Sequence, residues 1–274
     1  MSETPVTVRA AARPRLCHLE HVMGMPIAIE VCDDGPATEA VERAYRWLLY
    51  VDATFSTYRA DSDISRLNRG EIDLAGAQPA VARVLAQCEA LQERTNGFFD
   101  VRLGSDESQI DPSGLVKGWA IKGAGRVLDE AGLRRYSINA GGDVLVRGHP
   151  DDASSWRVGI QHPRDRLSVA AVLAVRDAAV ATSGTYARGA HIVDPHTGTP
   201  PEGILSVTVL GPDIALADAY ATAAFAMGPR GAEWCLGLEG YGAMVILEDD
   251  TVLCTPGFTR HRVDEAAMDG IGAA

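Results

Sequence analysis

The stretch LADAYATAAFAMG, residues 216–228, constrains the fold more than any other part of the chain. It reads as a helix of small and apolar residues interrupted by one acid, Asp218, and one hydroxyl, Thr222. At about 3.6 residues per turn, positions four apart share a face, so the two oxygens converge on one point. Something polar is expected against that face. Two readings follow from the residues alone. Carboxylate and hydroxyl oxygens suit a hard cation such as Mg2+, which keeps waters and borrows phosphate oxygens from a ligand. Alternatively, Asp218 is a first-turn acid favoured by the helix dipole, and Thr222 bonds back to a helix carbonyl.

The rest of the chain supplies both strands and helices. IAIEVC at 27–32 alternates as a strand and runs into the turn DDGP. From Ala37 to Phe55 the apolar residues recur at helical spacing, with Glu39, Glu42, Arg43 and Arg46 on the other face. Pro79 opens a second helix that reaches Arg94 before Asn96-Gly97, and a third is predicted over 117–131 with Gly132 at C′. YSINA and DVLVRG are strands flanking Gly141-Gly142, and further strands are expected at 156–161, 168–175, 178–182 and 204–210. A helix near 230–239 precedes the hairpin GAMVILEDDTVLCT. Strict βαβ alternation is absent, so the fold class is α+β, with mixed sheets flanked by helices in a single domain. The expected organisation is a flexible segment over 1–20, the domain over 21–262 and a frayed tail over 263–274.

With 274 residues, 46% of them hydrophobic, the chain can fill a substantial core. The 37 acidic residues outnumber the 25 basic ones and give a formal charge of -12, which argues against nucleic acid or an anionic membrane as the main partner. The five cysteines are scattered, without C-x-x-C spacing, and are read as reduced thiols. The opening MSETPVTVRAAARPRLCHLEH has no apolar h-region and no spanning segment follows, so a cytoplasmic protein without membrane insertion is expected.

Three further stretches carry chemistry. In DPSGLVKGWA a loop from Asp111 enters a helix, Gly114 and Gly118 permit close backbone approach, and Lys117 is expected at the helix start. A lysine there opposes the dipole and serves either as a phosphate contact or as a solvent-exposed charge. In NAGGDVLVRG the paired glycines precede Asp143 and are compatible with a simple turn. ATSGTYARGAHIVDPHTGTP crowds Ser183, Gly184, His191, Asp194, Thr197 and Gly198 between strands; His191 is a candidate proton acceptor, and His196 reads as a turn residue. A Ser183, His191, Asp194 triad is disfavoured because no G-x-S-x-G elbow is present. No nucleotide P-loop or strand-following G-x-G-x-x-G occurs.

Taken in order, VMGMPIAIEV, FSTYRADSDISRLN, GFFDV, DPSGLVKGWA, NAGGDVLVRG, ATSGTYARGAHIVDPHTGTP and ADAYATAAFAMG resemble the ApbE family over about residues 22–258. That family comprises FAD:protein FMN transferases, which attach FMN to a threonine of a target protein. The resemblance implies Mg2+ held by Asp218, Thr222 and the Gly114 carbonyl against the pyrophosphate of FAD. It implies flavin-contacting positions at Met23, Tyr58, Phe98, Phe99, Asp100, Asp111, Lys117 and Ile192. It assigns proton transfer to His191, oriented by Asp194, and implies an acceptor protein with a short Asp- and Thr-containing flavinylation motif. An FAD pyrophosphatase, with water in place of the threonine, and a non-catalytic flavin-storage protein are the alternatives. The chain departs from the family pattern at Met25, Asp63 and Pro112-Ser113, and its segment between GFFDV and DPSGL is only about ten residues, shorter than in many relatives.

Overall fold

The computed structural model describes residues 16–102, 109–150, 153–165, 167–184 and 192–263. Its centre is an antiparallel sheet of eight strands: β1 (Leu16–Val22), β2 (Met25–Val31), β3 (Tyr136–Ala140), β4 (Asp143–Arg147), β7 (Ala178–Gly184), β8 (Ile204–Gly211), β9 (Gly242–Leu247) and β10 (Val252–Cys254), in that spatial order. The remaining strands, β5 (Trp156–Gln161) and β6 (Val169–Val175), form a separate hairpin.

Period-two alternation gives the sheet two buried faces. Leu145, Ala179, Ala181, Val209 and Val245 point to one core, which is covered by helices. Their neighbours Val146, Val180, Leu210, Met244 and Ile246 point to the other, where the β5–β6 hairpin and Phe258 close over them. On the helical side lie α1 (Ala37–Phe55), α2 (Asp63–Asn68), α3 (Pro79–Arg94), α4 (Ser113–Glu130), α5 (Ile214–Ala226) and α6 (Gly231–Leu236). A short helix α7 (Pro256–Thr259), on the opposite side, carries Phe258. The mixture of helices with antiparallel sheets is the α+β class expected from the sequence. Among the described residues, no helix is long and apolar enough to cross a membrane.

Helix α5 begins two residues before the apolar stretch 216–228 and ends two residues short of its end, and every one of its residues except Leu216 and Thr222 is buried. Asp213 caps it, accepting from the Ala215 and Leu216 amides at 3.0 and 3.4 Å. α5 lies on β7 and β8 and against α4, which in turn packs on α1. The α4–α5 contact depends on Gly118, where a Cβ would stand 2.6 Å from the Ile214 carbonyl oxygen and 2.7 Å from the Ala215 Cα.

Two boundaries differ from the sequence expectation. α4 begins at Ser113, not 117, because Pro112 supplies the preorganised turn and Asp111 Oδ1 accepts the Ser113 amide at 2.9 Å. Lys117 therefore lies one turn inside the helix and not at its start. Residues 16–20, expected within a flexible segment, belong to β1 and pair with β2 from Leu16↔Val31 to Val22↔Met25. That hairpin closes through Met23 and Gly24, both at positive φ (57° and 72°), the geometry of a two-residue I′ turn. A second two-residue turn, Gly141-Gly142 at φ 59° and 102°, joins β3 to β4.

The short segment ahead of α4 is closed at its base. Arg102 bridges Ile110, Asp111 donates its amide to Val101, and the Asn68 side chain both donates to the Ile110 carbonyl and accepts the Ile110 amide, each at 2.9 Å. We expect Gly118→Ala to lower the stability of the fold by about 1–3 kcal/mol, since both clashing atoms are backbone and cannot swing away. Urea unfolding checks this; an unchanged midpoint would mean that α4 and α5 can separate without loss.

Candidate active site

The tips of the two hairpins, the C-terminal end of α1, the first turns of α4 and the end of β7 surround a cavity of about 1240 Å³. Asp218 and Thr222 of α5 face into it from the floor, beside Gly114, Lys117 and Ser183. Thr222 Oγ1 and Ser183 Oγ are 3.3 Å apart. Beside them Gly114 leaves room for the Phe99 ring, which a Cβ there would meet at 3.0 Å.

Beneath the hydroxyls lies a buried charge cluster. Lys117 Nζ is 2.6 Å from Asp143 Oδ2 and 3.2 Å from Asp218 Oδ1. Asp143 and Asp218 are only 1% and 2% exposed, so both carboxylates are removed from bulk water. Each is held from a second direction: Asp143 accepts the Thr182 amide at 3.0 Å, and Asp218 accepts the Gly118 amide at 2.9 Å. Burial by itself would depress the Lys117 pKa, but the Asp143 and Asp218 carboxylates outweigh it and raise the ammonium well above the ordinary lysine range. Burial is also the largest influence on Asp218, and it raises that carboxyl. Lys117 pulls it down, Asp143 pushes it further up, and the net direction is upward. One ammonium serves two carboxyl groups, so the cluster carries a surplus of one negative charge whenever both are ionised.

This surplus, with the nearby Thr222 and Ser183 hydroxyls, is a donor set of hard oxygens. Among the described residues no three His, Cys, Asp or Glu side chains gather as a metal cage. The set therefore fits a cation that keeps waters and shares phosphate oxygens with a ligand, as Mg2+ does, better than one needing a full shell of protein ligands.

The residues singled out in the sequence take distinct positions. Gly114, Lys117, Asp218 and Thr222 come together on the cavity floor. Met23 lines the wall from its I′ turn, and Tyr58 stands at the mouth with 92% of its surface exposed. Phe99 is buried behind Gly114, whereas Phe98 meets the His196 ring edge-on at 4.5 Å and lies under the Arg230 guanidinium. Asp100 and Asp111 line the cavity, but their carboxylates also organise backbone, accepting the Arg102 and Ser113 amides. Ile192 lines the cavity; Asp194 does not, and its Oδ1 accepts the His196 amide within the turn that brings Asp194 opposite Thr199. His191 lies outside the described residues.

Lys117 lines the cavity, where the sequence leads one to expect a phosphate contact or an exposed charge, and its ammonium is in addition bound by two carboxylates. The signal was present: Lys117 precedes Ala120, Ile121 and Ala124 by three, four and seven positions and so shares their buried face. Asp143 and Ser183 have partners here that the sequence does not announce. Neither partnership leaves a local spacing, since Asp143 meets Lys117 and Thr182, and Ser183 meets Thr222, across separate elements.

Because the native state holds the Asp218 proton above the ordinary carboxylate range near pH 4, the unfolded chain binds fewer protons as pH rises past about 4. Stability of the metal-free protein should then fall with rising pH until the folded carboxyl also ionises, and Asp218→Asn should remove that part of the slope. Urea unfolding across this range tests it; parallel profiles for both proteins would remove Asp218 as the responsible group.

Residues 23–106 and 102–245 match the model of the ApbE family. The chain is 33% identical over 150 residues to the FAD:protein FMN transferase of Escherichia coli K12, covering 51% of this chain and 43% of that protein. It is 28% identical over 239 residues to the FAD:protein FMN transferase of Vibrio cholerae serotype O1, covering 67% and 72%. The match thus spans less than half of the Escherichia coli protein's length. Among solved structures, the flavin transferase ApbE from Vibrio cholerae superposes with a TM-score of 0.78 at 23% identity, over 90% of this chain and 99% of that one. The ApbE protein from Thermotoga maritima gives 0.79 at 22% identity, over 92% and 100%. At these identities the structures establish a shared fold.

Proposed function

The chain belongs to the ApbE family, and from that premise we propose that it transfers FMN from FAD to a threonine hydroxyl of an acceptor protein, releasing AMP. The observation that carries this reading is the cavity floor, where Asp218, Thr222 and Ser183 present hard oxygens beside a buried cluster with surplus negative charge. Asp218, Thr222 and the Gly114 carbonyl would hold Mg2+. When bound, Mg2+ would neutralise charge on the pyrophosphate oxygens during displacement at phosphorus.

The remaining work falls to the chain's own residues. The walls formed by Met23, Phe98 and Ile192 bind the flavin end of FAD and restrict water around it. Tyr58, exposed at the mouth, offers a ring face on which the flavin or the acceptor can stack. Lys117 orders Asp218 through the contact at 3.2 Å and adds little free positive charge, since Asp143 is closer. The new bond joins the acceptor threonine oxygen to the FMN phosphorus, and the bond to the bridging pyrophosphate oxygen breaks as AMP departs. His191 accepts the threonine proton, because an unactivated hydroxyl is a weak nucleophile. Asp194 supports that step by fixing the turn that follows His191 in the chain.

Incubation with FAD and Mg2+, with and without an acceptor domain carrying a flavinylation motif, tests the reading. AMP formed only with acceptor, and an acceptor mass increased by one FMN, are the expected results. AMP with free FMN in the absence of acceptor would make the protein a pyrophosphatase, and intact FAD in both reactions would favour flavin storage. His191→Ala should slow transfer by about 10²- to 10⁴-fold while FAD affinity holds; equal losses of rate and affinity would count against a proton-transfer role.

A further inference from the structure

The Lys117 ammonium poses a problem for a cation site at Asp218. A positive side chain 3.2 Å from Asp218 Oδ1 competes for the same carboxylate that a divalent ion would need. If these two groups were alone, they would form a closed neutral pair, and an incoming cation would have to break it. The chain contains a third member. Asp143 approaches the ammonium more closely, at 2.6 Å, from the start of β4. It is fixed there by the first position of β4 and by the Thr182 amide, so it cannot follow Lys117 toward Asp218.

We infer that Asp143 is a positioning residue for metal binding: it holds the Lys117 ammonium and keeps Asp218 available to a divalent cation. The inference rests on the reading of this cavity as a cation-assisted FAD site. With all three groups charged, the cluster carries a net charge of minus one toward the cavity. Replacing Asp143 by an isosteric neutral amide makes that net charge zero and leaves the ammonium to pair with Asp218 alone. Replacing Lys117 by an apolar residue makes the charge minus two. The double replacement returns it to minus one. A purely structural salt bridge predicts that damage accumulates through this series, whereas charge positioning predicts that the second change rescues the first.

The test uses Mn2+ as the probe in place of Mg2+, with free ion followed by electron paramagnetic resonance, and the whole chain at a fixed saturating concentration of FAD, against FAD with no protein as the control. Asp143→Asn should weaken Mn2+ binding by about 10- to 100-fold, the range typical for loss of an outer-shell partner. Its amide keeps an oxygen for the Thr182 N–H, so folding should persist, and circular dichroism checks that it does. Lys117→Met should bind Mn2+ at least as tightly as the unaltered protein. Asp143→Asn combined with Lys117→Met should recover most of the affinity lost by Asp143→Asn. A double variant that binds no better than Asp143→Asn overturns the inference, as does a Lys117→Met protein that binds more weakly than the unaltered chain. The Lys117→Met comparison decides the matter even if Asp143→Asn does not fold. The parent reading fails differently: the unaltered protein would then bind no Mn2+, or would bind it equally well after Asp218→Asn.

Discussion

The contact on which the rest of the site depends is the Lys117 ammonium held between Asp143 and Asp218. It ties three elements that are remote in sequence: α4, the turn into β4, and α5. Neither carboxylate would be tolerated alone at this depth, because an isolated buried ion loses more hydration than the surroundings return. Together they are held by each other and by two backbone amides, one from β7 and one from α4. The cluster is therefore also a constraint on geometry: the cavity floor is positioned by the same groups that give it charge.

That floor forms only because the backbones come unusually close. Gly118 lets α4 rest on the first turn of α5, and Gly114 lets the Phe99 ring approach the start of α4. Small side chains along α5 serve the same purpose, and all of its alanines are buried. The apolar helix with one acid and one hydroxyl is then understandable as a core element with a single polar window. Everything on it except that window is packing, and the window opens where β7 ends and the two hairpin turns meet.

Legibility in the sequence followed the range of the interactions. α1 and α3 were readable from their periodicity and from Pro79, and Gly132 does take the positive φ expected after α4. Asp218 and Thr222 were readable together because four residues on a helix is a local relation. β1 was not, since LCHLEHV is an edge strand with much of its length exposed and no apolar alternation to announce it. The start of α4 was missed because Pro112, Ser113 and Gly114 resemble a loop, although proline tolerates a helix start and the glycine is required by Phe99. The partner of Asp143 was hidden for a different reason: its contacts reach residues 26 and 39 positions away through the fold, and no spacing encodes them.

The clasp at the base of the segment before α4 has a consequence for how this architecture can vary. Asn68 grips both backbone groups of Ile110 while Arg102 bridges the same residue, so the two ends of the intervening chain are fixed to each other independently of what joins them. Chain inserted between ends anchored in this manner costs little, about 0.6 kcal/mol for each doubling of its length. Arg102 also lines the cavity. The fold thus has a port beside its mouth where sequence can be added without retuning the charged floor.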